Sequence, residues 1–141
     1  MYGPDHPPVG MHLARVAREA GRAFDAALAE AGGSLPVWLV LISLKSQQLA
    51  NQRALAEAVG IQEATLTHHL NSMETKGLLT RRRDPANRRV HMVELTPEGN
   101  ALFARLRTAA MAFDERLRDG LSAAELERFE AVLDRLHDNV T

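Results

Sequence analysis

One stretch interrupts a pattern that is otherwise helical. Along most of the chain apolar residues recur at steps of three and four, but Leu78 to Arg83 and Arg89 to Leu95 are each only long enough for a strand. Asp84-Pro85-Ala86-Asn87 between them places Asp first and Pro second, the arrangement that suits a tight turn. The pair predicts a single hairpin bearing five arginines, Arg81, Arg82, Arg83, Arg88 and Arg89. The fold expected is therefore mostly α with one small β-hairpin.

The helices can be placed by their stripes and stops. Leu13, Val16, Ala17, Ala20, Phe24, Ala27, Leu28 and Ala31 define a first helix over about residues 10–31, ended by Gly32-Gly33. Ser34 caps a second, with Pro36 in its first turn and the dense apolar run Val37 to Leu44 marking it as buried. A polar break at Lys45 to Gln48 follows. A short helix from Asn51 carries Leu55, Ala56 and Val59 to Gly60, and the next, from Gln62, carries Leu66, His69, Leu70 and Met73 to Gly77. Thr96-Pro97-Glu98 opens a long helix through Leu102, Leu106, Ala110, Phe113 and Leu117 to Gly120. Ser122 and Glu125 form a capping box for the last one, whose stripe of Leu126, Phe129, Leu133, Leu136 and Val140 suits packing along another helix.

At 141 residues, 45% of them apolar, the chain suits one folding unit. There is no cysteine, so disulfides, thiolate metal sites and thiol nucleophiles are excluded. No apolar window reaches the ~20 residues of a membrane span and no leader pattern precedes the first helix, so a soluble cytoplasmic protein without a membrane partner is expected. Net charge is only −1, yet its distribution is polar: Gln62 to Met92 holds six Lys/Arg against three acids, +3, leaving −4 for the remainder. One basic surface on an acidic scaffold suits contact with phosphate, although a solvated charged strand pair gives the same count.

The segment Gln52 to Leu70 has the organisation of a helix-turn-helix. Leu55, Ala56 and Val59 lie on the first helix, small Ala56 where two helices cross closely, Gly60 at the reversal, and Ile61 and Leu66 lock the second. Opposite that apolar face stand Ala64, His68 and Asn71, flanked by Thr65 and Thr67, short groups able to reach base edges in a major groove. Two short helices around a glycine can also be plain packing. The basic hairpin directly after them, where a wing would sit, favours double-stranded DNA as the partner. The neighbours His68 and His69 point about 100° apart on a helix and lack a completing ligand, so no metal is expected; His69 fits the core edge. No nucleophile elbow, phosphate-cradling loop or metalloprotease helix is present, so neither catalytic residues nor a cofactor are expected, and the chain does not read as an enzyme.

Longer matches point to a family. Ser34-Leu-Pro-Val-Trp38-Leu-Val-Leu41, Leu55-Ala56, Val59-Gly60-Ile61, Met73-Glu-Thr-Lys-Gly77-Leu-Leu, and above all Asp84-Pro-Ala-Asn-Arg-Arg89 followed by Val93-Glu-Leu-Thr-Pro-Glu-Gly99 resemble the MarR (multiple-antibiotic-resistance regulator) family of bacterial transcription regulators. The resemblance implies a winged helix-turn-helix with N- and C-terminal dimerisation helices: residues 10–31 and 97–141 for dimerisation and 34–96 for DNA binding. It implies a homodimeric repressor on an inverted-repeat operator, with the second helix of the motif in the major groove and a wing arginine in the minor groove. The DNA-contacting candidates are then Thr65, Thr67, His68, Asn71, Arg83, Arg88 and Arg89. It also implies release by a small aromatic or phenolic ligand, with His12, Arg15 and Trp38 as candidates, although Arg15 lies with Arg18 and Arg22 opposite the apolar stripe, where arginines are commonly solvated. Ala86 stands where a wing-tip arginine is usual and Asn87 where Asp is usual, leaving Asp84 to pair with a wing arginine. The alternative reading is a winged-helix dimer that serves as a protein interaction module without binding DNA.

Overall fold

The computed structural model describes residues 5–47, 52–87 and 91–141. Among them six helices and one hairpin follow in order: α1 (Val9–Glu30), α2 (Leu35–Gln47), α3 (Gln52–Val59), α4 (Glu63–Thr75), β1 (Leu79–Arg83), β2 (His91–Leu95), α5 (Pro97–Leu117) and α6 (Ala123–Val140). The fold is mostly helical, and the strands pair antiparallel, Leu79 opposite Leu95 and Arg83 opposite His91.

The core forms around α2, which packs against α1, α3, α4 and α5. Its run of apolar residues leaves no polar face, and Val40 and Leu41 are wholly buried with Leu28 of α1, Leu55 of α3, Leu66 and Leu70 of α4, and Leu106 of α5. The polar break expected at Lys45 to Gln48 is not where the helix ends, because α2 runs on to Gln47. Lys45 is drawn into the helix by tertiary partners: its Nζ donates to Asn100 Oδ1 at 2.9 Å and lies 5.5 Å from the Phe103 ring centroid. The first strand is also one residue shorter than expected. Leu78 belongs to the turn out of α4, with its N–H bonded to Met73 O at 2.9 Å, and Arg89 lies outside the described residues.

Two regions stand apart from this core. The first half of α1 leaves Val9, Met11, Leu13 and Val16 exposed, and α6 buries no residue, with Phe129, Val132 and Val140 all more than half exposed. α6 is nonetheless well specified locally: Ser122 Oγ accepts from Glu125 N at 3.1 Å while Glu125 Oε1 accepts from Ser122 N at 3.0 Å, the expected capping box. That bonding holds the Glu125 carboxyl below the usual carboxylate range. No single helix among the described residues is long and apolar enough to cross a membrane.

The root of the hairpin is fixed by the start of α5. Thr96 caps that helix by accepting from Gly99 N at 3.1 Å, and the same hydroxyl donates to Gly77 O at 2.5 Å, while Thr96 N donates to Leu78 O at 3.1 Å. Gly99 is required by this closeness, because a Cβ there would overlap the Leu78 carbonyl oxygen.

Candidate nucleic-acid interface

α3 and α4 meet at a sharp reversal. Gly60 takes a φ of +79°, and the amides of Gly60 and Ile61 both bond to Ala56 O, at 2.9 and 3.2 Å. A side chain at that φ would be strained, which is why glycine terminates α3 here. Leu66, Leu70 and Met73 are buried along the inner side of α4, so the helix is anchored by three contacts at steps of four and three. Its outer side is left to solvent: Ala64, Thr65, His68 and Asn71 are exposed. Glu63 in the first turn complements the positive helix end.

Thr67 differs from its neighbours. Half-buried, it accepts from Gln52 Nε2 at 2.5 Å and donates to Glu63 O at 2.8 Å, so its hydroxyl ties the start of α3 to α4. His69, also half-buried, sits at the core edge as expected, its ring edge-on to His68 with centroids 5.7 Å apart.

The hairpin alternates as its period of two requires. Leu79 and Val93 are buried, and Arg81, opposite Val93, falls on the same inner face with its side chain only 17% exposed. A charge so placed needs partners. Its guanidinium donates to Asn71 Oδ1 and, at 3.1 Å, to Glu74 Oε1, and its backbone N–H donates to Glu74 Oε2 at 3.1 Å. Arg81 thereby fastens the hairpin to the last turns of α4. The guanidinium hydrogen bond from Arg81 holds the Glu74 carboxyl below its usual range against an opposing desolvation, helped by the backbone N–H and the charge of Arg81.

Of the other described hairpin arginines, Arg82 pairs with Glu94 across the strands at 2.7 Å in full solvent. Arg83 is exposed and no ion pair holds it among the described residues. Arg88 and Arg89 lie outside the described residues. The turn forms as expected, Asn87 N bonding to Asp84 O at 3.2 Å, and the Asp84 carboxylate, expected to meet a wing arginine, accepts from Ala86 N at 2.9 Å.

The structure thus brings Thr65, His68 and Asn71 together on one exposed face, turns Thr67 towards α3, and leaves Arg83 at the hairpin edge. The three ligand candidates do not meet within one chain. Trp38 stacks on Phe103, with centroids 5.7 Å apart, in an open groove of about 690 Å³ between α2 and α5 that Lys45, Arg107, Asp114 and Arg118 also line. His12 and Arg15 line a separate, shallow depression of about 250 Å³ on α1 together with Arg18. Sequence reasoning missed Arg81 and Gln52 as positioning residues. Counting by twos from Leu79 would have placed Arg81 inward; Gln52 carries no such signal.

A helix anchored on its inner side, exposed along its outer side and buttressed by a basic hairpin is the reading unit of a winged helix-turn-helix protein. The MarR family model matches residues 34–91, the stretch that contains this unit. Over 138 residues the chain is 30% identical to a candidate transcriptional regulatory protein for the hcr operon of Thauera aromatica, covering 97% of this chain and 83% of that protein. The chain belongs to the MarR family of transcription regulators. Among solved structures it is similar to BpsR of Bordetella bronchiseptica, whose DNA binding is regulated by 6-hydroxynicotinic acid, with a TM-score of 0.80, 27% identity and coverage of 96% of this chain and 99% of that one. It is similar also to the transcriptional repressor CouR bound to a 23-mer DNA duplex, with a TM-score of 0.78, 26% identity and coverage of 95% and 93%.

Proposed function

We propose that the chain is a homodimeric, sequence-specific repressor in which α4 lies in the major groove and the hairpin follows the adjacent backbone and minor groove. The observation that carries this reading is the exposed row Ala64, Thr65, His68 and Asn71 on a helix whose other side is locked by Leu66, Leu70 and Met73. A rigid helix with short polar groups outward is what base readout demands. CouR, bound to a DNA duplex, supports it by similarity.

Residues 34–96 supply the DNA-binding part, and residues 10–31 and 97–141 the dimer. The exposed apolar residues of α1 and α6 support a second copy of the chain as the partner, since burying such surface is the main favourable term in association. A two-fold dimer places its two reading helices about one DNA turn apart, so the operator is an inverted repeat with that spacing. Leu133→Asp puts a charge on the α6 stripe and is expected to yield monomers that no longer bind DNA, as sedimentation and gel shift would report. A well-folded wild-type monomer at low micromolar concentration would contradict the dimer.

The groove beside Trp38 favours release by a small aromatic acid, with Lys45 and Arg107 as cationic partners; BpsR is regulated by such an acid. His12 and Arg15 join that site only if contributed across the dimer. Titrating the DNA complex with 6-hydroxynicotinic acid and with simple benzoates tests this: release from DNA that is lost in Trp38→Ala supports it, and no release by any of them contradicts it. For the DNA reading itself, footprinting on the DNA beside its own gene is the test. A protected inverted repeat supports the account, and the absence of any protection favours the interaction-module reading.

A further inference from the structure

We infer that Asn71 reads the major groove as a hydrogen-bond donor only, favouring guanine over adenine at the base it meets, and that Arg81 is the positioning residue that fixes this role. The inference rests on the placement of α4 in the major groove proposed above.

The Arg81 guanidinium and the Asn71 side-chain amide are in direct contact. Arginine carries five donors and no acceptor, so the atom of Asn71 that faces it must be the carbonyl oxygen; the ambiguity that usually attends an amide is removed by its partner. Arg81 cannot easily turn away, because Glu74 holds its guanidinium and its backbone N–H, and its side chain is mostly buried on the inner face of the hairpin. With Oδ1 directed at the root of the hairpin, the exposed Asn71 presents its Nδ2 hydrogens to whatever lies along α4.

An asparagine that meets adenine bidentately uses both ends of the amide, the carbonyl taking the N6 hydrogen and the amino group giving to N7. Held as it is here, the Asn71 carbonyl is turned towards Arg81, and although it keeps a second lone pair it is not aimed for that pair. Guanine offers two acceptors side by side, N7 and O6, which match two donor hydrogens, while the N6 amino group of adenine opposes the second of them. The brace that positions the hairpin therefore also selects which base the neighbouring reader accepts.

The test uses the full chain and operator duplexes located by footprinting, with all four base pairs placed in turn at every half-site position. For the wild type, one position per half-site should prefer guanine over adenine by about tenfold, the scale of one good base contact. Asn71→Ala should level that position and leave the other preferences in place. Arg81→Met, which frees the carbonyl, should move the same position towards adenine. Since Arg81→Met also loosens the hairpin, Asn71→Asp is the second variant. Its carboxylate still accepts from Arg81, so the melting temperature should hold, but it has no donor and should lose the guanine preference. Persistence of that preference in Asn71→Ala or Asn71→Asp would overturn the inference alone, as would a loss in Asn71→Ala that is equal for all four base pairs, the mark of a phosphate contact. A wild type without preference at any position would overturn the proposed sequence reading and this inference with it.

Discussion

Gly99→Ala is expected to destabilise the protein, against the ordinary sign of that substitution in a helix. Within helices alanine is favoured over glycine by up to about 1 kcal/mol. Here the added Cβ would overlap the Leu78 carbonyl oxygen and come within 3.0 Å of its carbon, both backbone atoms that no rotamer change can move, and within 3.3 Å of Leu95 Cδ2. The first turn of α5 must draw back from the hairpin root, which stretches Thr96 N to Leu78 O at 3.1 Å and Thr96 Oγ1 to Gly77 O at 2.5 Å. Two hydrogen bonds at about 1 kcal/mol each, with roughly 1–3 kcal/mol of overpacking, outweigh the propensity gain and leave a net loss of about 2–4 kcal/mol. For a chain of this length that lowers the melting temperature by on the order of 10 °C. Thermal unfolding followed by circular dichroism at fixed protein concentration measures it. Because the same contact aims the hairpin, operator affinity should fall in the surviving folded protein. A variant that melts at or above the wild-type temperature would show that α5 and the hairpin root do not need this close approach.

Glu74→Gln should lower stability at pH 7 by about 0.5–1 kcal/mol, a modest figure because both partners keep some exposure to water. Glu74 has its carboxyl depressed in the folded state, so its contribution is complete above the ordinary value of 4.5 and is lost as pH falls through the depressed one; urea midpoints of the two proteins should converge in that acidic window and nowhere above it. Arg83→Ala should reduce the slope of log affinity against log salt by about one unit, as loss of one phosphate contact does, whereas Arg82→Ala, already paired with Glu94, should change it less. Equal slopes for both variants would show that the Arg82 pair opens on DNA.

Much of this fold could be read from spacing and punctuation. Thr96-Pro97 and the capping box at Ser122 work through bonds between near neighbours, and Gly60 through its own backbone, so the sequence carries them locally. What escaped were features decided by distant partners. The extension of α2 through Lys45 depends on Asn100 and Phe103, fifty-five and more residues away, and polar character alone argued for a break. Thr67 looked like a base reader because it shares a helix with His68; that Gln52 occupies it is a fact of how α3 meets α4. The run Arg81 to Arg83 looked uniform, yet tertiary partners sort it into an inner brace, a cross-strand pair and, at the end of the strand, an exposed charge. The separation of Trp38 from His12 and Arg15 likewise follows from tertiary placement, which helix periodicity does not encode.

Sequence reading by the outer side of α4 turns on His68, exposed at the middle of that helix. Competition titrations of the wild type and His68→Ala, against operator and random duplexes at two salt concentrations, separate readout from charge. A base contact is worth roughly 1–3 kcal/mol of discrimination, so His68→Ala should lose that much on the operator and little on random DNA, with its salt slope unchanged. Equal losses on both duplexes, or none on either, would contradict the account.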